Sequence, residues 1–151
     1  GRYVGFLTSA SDLVVGHPAV GAGLFVRDIQ NSVTLVGDDA NVQPGFGLTA
    51  AGRFVAFCVN SSSVWVRDLQ TNSLIRVSVN AQNTGEGNSV SNVQFISRLP
   101  QTAGQLDYVV LFRSLASDLV SGVTKANPPG SATAYARTLG PGRPARCQCR
   151  L

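Results

Sequence analysis

The segment AGRFVAFCVNSSSVWVRDLQTNSLIRVSV (residues 51–79) decides how the rest of the chain is read. It holds three β-branched and aromatic runs, GRFVAF (52–57), VWVRDL (64–69) and LIRVSV (74–79), with polar punctuation between them. Runs of this length and composition predict strands. QTNS (70–73) predicts a short hairpin loop, so the second and third runs are expected to pair antiparallel. The serines at 61–63 predict a second tight loop, between the first and second runs.

The same unit returns on both sides. Upstream, GRYVGFLTSASDLV (1–14), LFVRDI (24–29) and VTLVG (33–37) parallel the three runs, with Tyr3 and Phe6 matching Phe54 and Phe57 at an offset of 51. The loop VGHPAVGAG (15–23) interrupts them. FGLTA (46–50) predicts a short strand leading into the central unit, and VSNVQFISR (90–98), reached through the polar NAQNTGEGNS (80–89), repeats that arrangement. After the connector LPQTAGQ (99–105), LDYVVLFRSLASDLV (106–120) brings the opening motif back. Aligned on the shared ASDLV, Phe112 matches Phe6 at an offset of 106. After the loop SGVTKANPPGSA (121–132), TAYARTL (133–139) stands where FVRDI and WVRDL stood.

A period of 51 to 55 residues with about four strands per unit is the pattern of propeller blades. The expected fold is all-β, with about three four-stranded antiparallel blades at about 1–45, 46–89 and 90–139. The first blade lacks its first strand and the third its fourth, which makes ten strands. Three blades do not readily close a ring, since propellers use four to eight. The expectation is therefore either a piece of a longer array or a protomer that completes its sheets through open edges against other chains. Residues 140–151, GPGRPARCQCRL, carry two prolines, two glycines and three arginines and are expected to form an irregular tail.

Composition agrees with a strand-rich domain. The 151 residues have room for one core, and 44% apolar with 13% charged is too apolar for disorder and too uncharged for a coiled coil. The net charge of +4 comes from arginines spread about one per strand; only Arg143, Arg146 and Arg150 cluster, so no nucleic-acid surface is expected. No apolar run approaches the roughly 20 residues that span a bilayer. No signal peptide or initiator Met is visible, so the chain reads as a processed or excised piece. Of three cysteines, Cys58 reads as a small buried hydrophobe, while Cys147 and Cys149 make neither an easy mutual disulfide nor a complete metal site.

The recurring order Gly-Arg-aromatic-Val-x-Phe followed by Phe/Trp-Val-Arg-Asp resembles the WD-like repeats of the Tol-type periplasmic β-propellers and related bacterial secreted proteins. The pieces that carry the resemblance are GRYVGFLTSASDLV with LFVRDIQNSVTLV, AGRFVAF with VWVRDLQTNSLIRVSV, and DYVVLFRSLASDLV with AYARTL, covering about 1–139. The resemblance implies a binding scaffold, or a propeller attached to a hydrolase domain elsewhere, in an extracellular or periplasmic setting. There are departures. The loops after SDLV lack the acidic, Asn/Gly-rich segment that could hold a cation, the central unit lacks SDLV, and Thr138 replaces Asp28 and Asp68.

Candidate chemistry is sparse. His17, the single histidine, has no acid–base partner in sequence, and no G-x-S-x-G elbow occurs. Glu86 is the single glutamate, so paired carboxylates of a glycosidase are not placed by sequence. Asp12 and Asp118 in ASDLV, and the doublet Asp38–Asp39 with Asn41, are the metal candidates; against them, Asp caps turns by accepting backbone N–H bonds. Asp28 and Asp68 follow Arg27 and Arg67, and neighbours in a strand face opposite ways, so they are expected to pair with adjacent strands or cap turns. Phe6, Phe57 and Phe112, with Phe25, Trp65, Tyr135 and the arginines Arg27, Arg67 and Arg137, recur at the repeat period and are expected to be structural. No catalytic residue, cofactor or metal is assigned. The expected function is a non-enzymatic β-propeller module that presents loops to protein or ligand partners. The alternatives are a non-catalytic propeller part of a larger secreted hydrolase, and a self-assembling subunit that completes its blades between chains.

Overall fold

Why FVAFCV (54–59) is apolar without a break becomes clear from where that strand sits. The computed structural model describes residues 1–38, 41–60, 62–99, 108–122 and 130–140, and the backbone of 143–149. Of the positions singled out above, Asp39, Ser61 and Arg150, most of 99–105 and the centre of 121–132 lie outside the described residues, as do the side chains of Arg143, Arg146, Cys147 and Cys149. The protein is all-β, and no helix occurs among the described residues. None is therefore long and apolar enough to cross a membrane.

Three antiparallel meanders follow one another. Sheet I contains β1 (Tyr3–Thr8), β2 (Gly23–Asp28) and β3 (Val33–Asp38). Sheet II contains β4 (Gly47–Leu48), β5 (Phe54–Val59), β6 (Ser63–Asp68) and β7 (Ser73–Arg76). Sheet III contains β8 (Ser91–Arg98), β9 (Tyr108–Ser114), β10 (Thr133–Gly140) and β11 (Arg143–Cys149). The registers coincide. Phe6 faces Phe25, Phe57 faces Trp65 and Phe112 faces Tyr135; one step on, Val4 faces Arg27, Val55 faces Arg67 and Val110 faces Arg137.

Two boundaries differ from the sequence expectation. The run 74–79 leaves the ladder at Arg76, because the Ser78 hydroxyl accepts the Val64 N–H at 2.9 Å where a strand carbonyl would have done so. The second difference is the tail. Residues 143–149 pair with β10 from Gly140↔Arg143 to Tyr135↔Cys149, so sheet III has a fourth strand and the total is eleven rather than ten. β11 is an edge strand with its proline one residue inside the start, a place where a missing N–H is tolerated. The register slips between Thr138 and Gly140, which absorbs the tight connection.

Sheet II is covered on both faces. Its alternate residues Ala56, Val64 and Val66 join Val93, Val110, Phe112 and Tyr135 of sheet III in one core. Val55 and Phe57 join Leu24 and Val42 in the other, with Leu7 and Trp65 at its margin. A strand whose odd and even side chains both meet apolar neighbours has no polar face, which is why FVAFCV alternates so little. β9, exposed on one side, alternates cleanly.

Gly52 closes the turn between β4 and β5 with φ of +70°, and a Cβ there would sit 2.3 Å from the Tyr3 ring of sheet I. Only glycine meets both conditions, so this turn also fixes how closely sheet I approaches sheet II. Phe57 is fully buried in that interface. Phe57→Ala is expected to cost roughly 3–5 kcal/mol in urea unfolding. A variant with an unchanged midpoint and slope would mean that this register is wrong.

Candidate functional site

The polar side chains that the repeat brings together lie at the ends of the sheets and between them. At the β1–β2 end, the Arg2 guanidinium donates to both oxygens of Asp28, Nε to Oδ1 at 3.0 Å and Nη2 to Oδ2 at 2.6 Å. Asp28 also accepts the backbone N–H groups of Gln30 and Asn31, which caps the hairpin into β3. Sheet II repeats the device: Arg53 grips Asp68 at 2.8 and 3.2 Å, and Asp68 accepts the Gln70 N–H. Each arginine lies over the aromatic ring that follows it, Arg2 over Tyr3 and Arg53 over Phe54, both at 4.9 Å. Pairing with the adjacent strand and capping of the turn are thus done by the same carboxylate.

In sheet III neither partner is present. By register Tyr108 takes the place of Arg53, and Thr138, opposite Val109, takes the place of Asp68. Tyr108 turns its ring onto Phe54 of sheet II, 4.4 Å between centroids. A cavity of about 220 Å³ remains here, lined by Arg53, Phe54, Asp68, Tyr108 and Leu139.

A second set of arginines ties the sheets to one another. Arg67 of β6 donates from Nε to the carbonyl of Gly37 in β3 at 2.5 Å, and its Nη2 lies 3.5 Å from Asp38. Arg137 of β10 donates from Nη1 to the carbonyl of Val77, just past β7, at 2.7 Å. Gly37 and Val77 hold the same place after Val36 and Arg76, the partners of Phe25 and Trp65. Arg27, at that position in sheet I, donates to Thr34 of its own sheet at 3.1 Å.

The metal candidates are spread through this framework. Asp38 sits against Arg67, and Asp12 is exposed on the first ASDLV loop. Asp118 accepts the Asn88 N–H at 2.9 Å and its carbonyl accepts the Ala81 N–H at 2.7 Å, so the second ASDLV loop docks on the 80–90 loop of the preceding unit. Ser117 and Asn88 add a pair of reciprocal bonds at 2.9 Å. No group of three or more His, Cys, Asp or Glu is close enough to hold a metal among the described residues. His17 is exposed, with its N–H on Val14 O. Cys58 is buried and donates its thiol to the Ser91 carbonyl at 2.9 Å, another bond between sheets.

The two aspartates are held by the groups around them. The Arg2 bond outweighs the cost of burial and, with the two turn N–H groups, draws the Asp28 carboxyl down to about 2. For Asp68 burial is the largest single influence and raises its pKa, but the donors Arg53, Gln70 and Thr71 together leave it lowered. Sequence reasoning missed Arg2 and Arg53 as partners, because the separation from their aspartates is 26 residues in one unit and 15 in the other. Position within the repeat, not spacing, is the signal that finds them.

A scan against protein-family models matches none, and comparisons with curated proteins and with solved structures likewise find no match.

A carboxylate with a lowered folded pKa stabilises fully above its unfolded value and loses that contribution as the pH falls toward the folded one. For Asp28 the window runs from 3.8 down to about 2. The gap in melting temperature between wild type and Asp28→Asn should be constant above about pH 5 and shrink steadily below about pH 4. A gap that stays constant down to pH 2 would show that the Arg2 pairing does not hold in solution.

Proposed function

We propose that this chain is a propeller-type repeat module, a non-enzymatic scaffold of stacked blades that presents its connecting loops to protein or ligand partners. The observation that carries this reading is the shared register. Three meanders place Val and Arg opposite each other at the same step, and in two of them that arginine reaches the carbonyl of the preceding sheet. The same contact is used twice, while loops of very different length leave the same strand ends: 9–22 in the first unit, the tight turn closed by Ser62 N–H on Val59 O in the second. That division of labour suits a scaffold. The carboxylates support it too, since Asp28 and Asp68 have both oxygens engaged by arginine. The resemblance to Tol-type propellers carries the extracellular or periplasmic setting.

The test is an activity screen on ester, glycoside and phosphate chromogenic substrates. Rates are expected at buffer background. Turnover that disappears in Asp68→Asn while the circular dichroism is unchanged would overturn the non-enzymatic reading. A crystal structure tests the architecture: β4 and β8 should lie nearest a common axis, and finding them at the outer rim would overturn the propeller.

A further inference from the structure

The two outermost sheet faces are the two halves of the interface that the molecule already uses twice inside itself. On sheet III the far side of β9 and β10 carries Leu111 and Ala136, the register counterparts of Ala56 and Val66. Ala56 and Val66 are fully buried against sheet III, whereas Leu111 is 40% exposed, with Phe95 beside it at 49%. On sheet I the far side of β1 and β2 carries Val4, Phe6 and Arg27, the counterparts of Val55, Phe57 and Arg67 and of Val110, Phe112 and Arg137. Val55 and Val110 are fully buried and Val4 is 47% exposed. The first ASDLV loop repeats the contrast: Leu119 is 2% exposed against the preceding unit, while its counterpart Leu13 is 40% exposed.

We propose that these two faces bind each other between two copies of the chain, sheet III of one copy stacking on sheet I of the next. The contact continues the internal series: Leu111 and Ala136 of one copy fill the place of Ala56 and Val66, opposite Val4 and Phe6 of the other. Because the two faces differ, the contact is head-to-tail; two copies that close on each other make six sheets, within the four to eight of propeller rings. The inference rests on the repeat reading given under the proposed function.

The test uses the full chain in light scattering with circular dichroism, alongside Leu111→Asp and Val4→Asp, both at exposed positions. Wild type is expected at twice the monomer mass or above and each variant alone at the monomer mass, with melting temperatures within a few degrees. Mixing the two variants is expected to restore association, because the mixture has one intact head and one intact tail. A wild type that is monomeric and well folded overturns the pairing while leaving the scaffold reading in place. Persistent dimers in either variant also overturn it, because they locate the contact elsewhere. If an aspartate variant is unfolded, Val4→Ser and Leu111→Ser take its place and are expected to weaken association at least tenfold; no change in either overturns the proposal.

Discussion

The arginine that crosses from the third strand of one sheet to the main chain of the sheet before it constrains everything else in this protein. A guanidinium carries five donors and stays charged, so burying part of it between two sheets demands acceptors that do not move. Main-chain carbonyls at Gly37 and Val77 provide them, and each can be reached only if the strand register and the sheet spacing are both fixed. The valine opposite each arginine, the aromatic pair one step along and the bare backbone at Gly52 follow from that demand. Packing alone would tolerate a slip of two residues along a strand, since it preserves the alternation; the arginine would lose its acceptor.

That constraint explains how much of the fold was legible. The strands, their order within each meander and the correspondence of Phe6, Phe57 and Phe112 were readable, because they depend on local composition and on a repeat with few gaps. β11 was not. Its proline and arginines, and the glycines just before it, argue against a strand, and what makes it one is the free edge of β10, a tertiary circumstance invisible to local propensity. The early end of β7 has a similar origin, a serine hydroxyl on Val64 N–H that replaces one rung of the ladder.

The site was less legible than the fold. Arg2 and Arg53 read only as arginines spread about one per strand, yet they satisfy the two aspartates that the sequence left without a settled partner. Variable loops between β1 and β2 and between β5 and β6 hide the pairing from any fixed-spacing search. Asp118 was readable as a turn cap, but its actual bond is to a loop 30 residues away, which no local rule supplies.

Sheet III shows why the ion pair belongs to the sheet ends as a unit. Removing one member of a pair leaves an uncompensated charge beside apolar groups, which costs more than the pair contributes. Replacing both members at once avoids that cost, and here both are replaced: Tyr108 for the arginine and Thr138 for the aspartate. The exchange suits its place. Tyr108 is 6% exposed because it packs on Phe54, whereas the Arg2 and Arg53 side chains are 39% and 35% exposed. A neutral ring tolerates that degree of burial where a guanidinium would need further acceptors. The ring in turn lies against Phe54, the aromatic over which Arg53 is placed, so one sheet's ion pair and the next sheet's tyrosine share a single aromatic surface. The end of each sheet is therefore adjusted to its neighbour, while the arginine clamp in the middle stays the same.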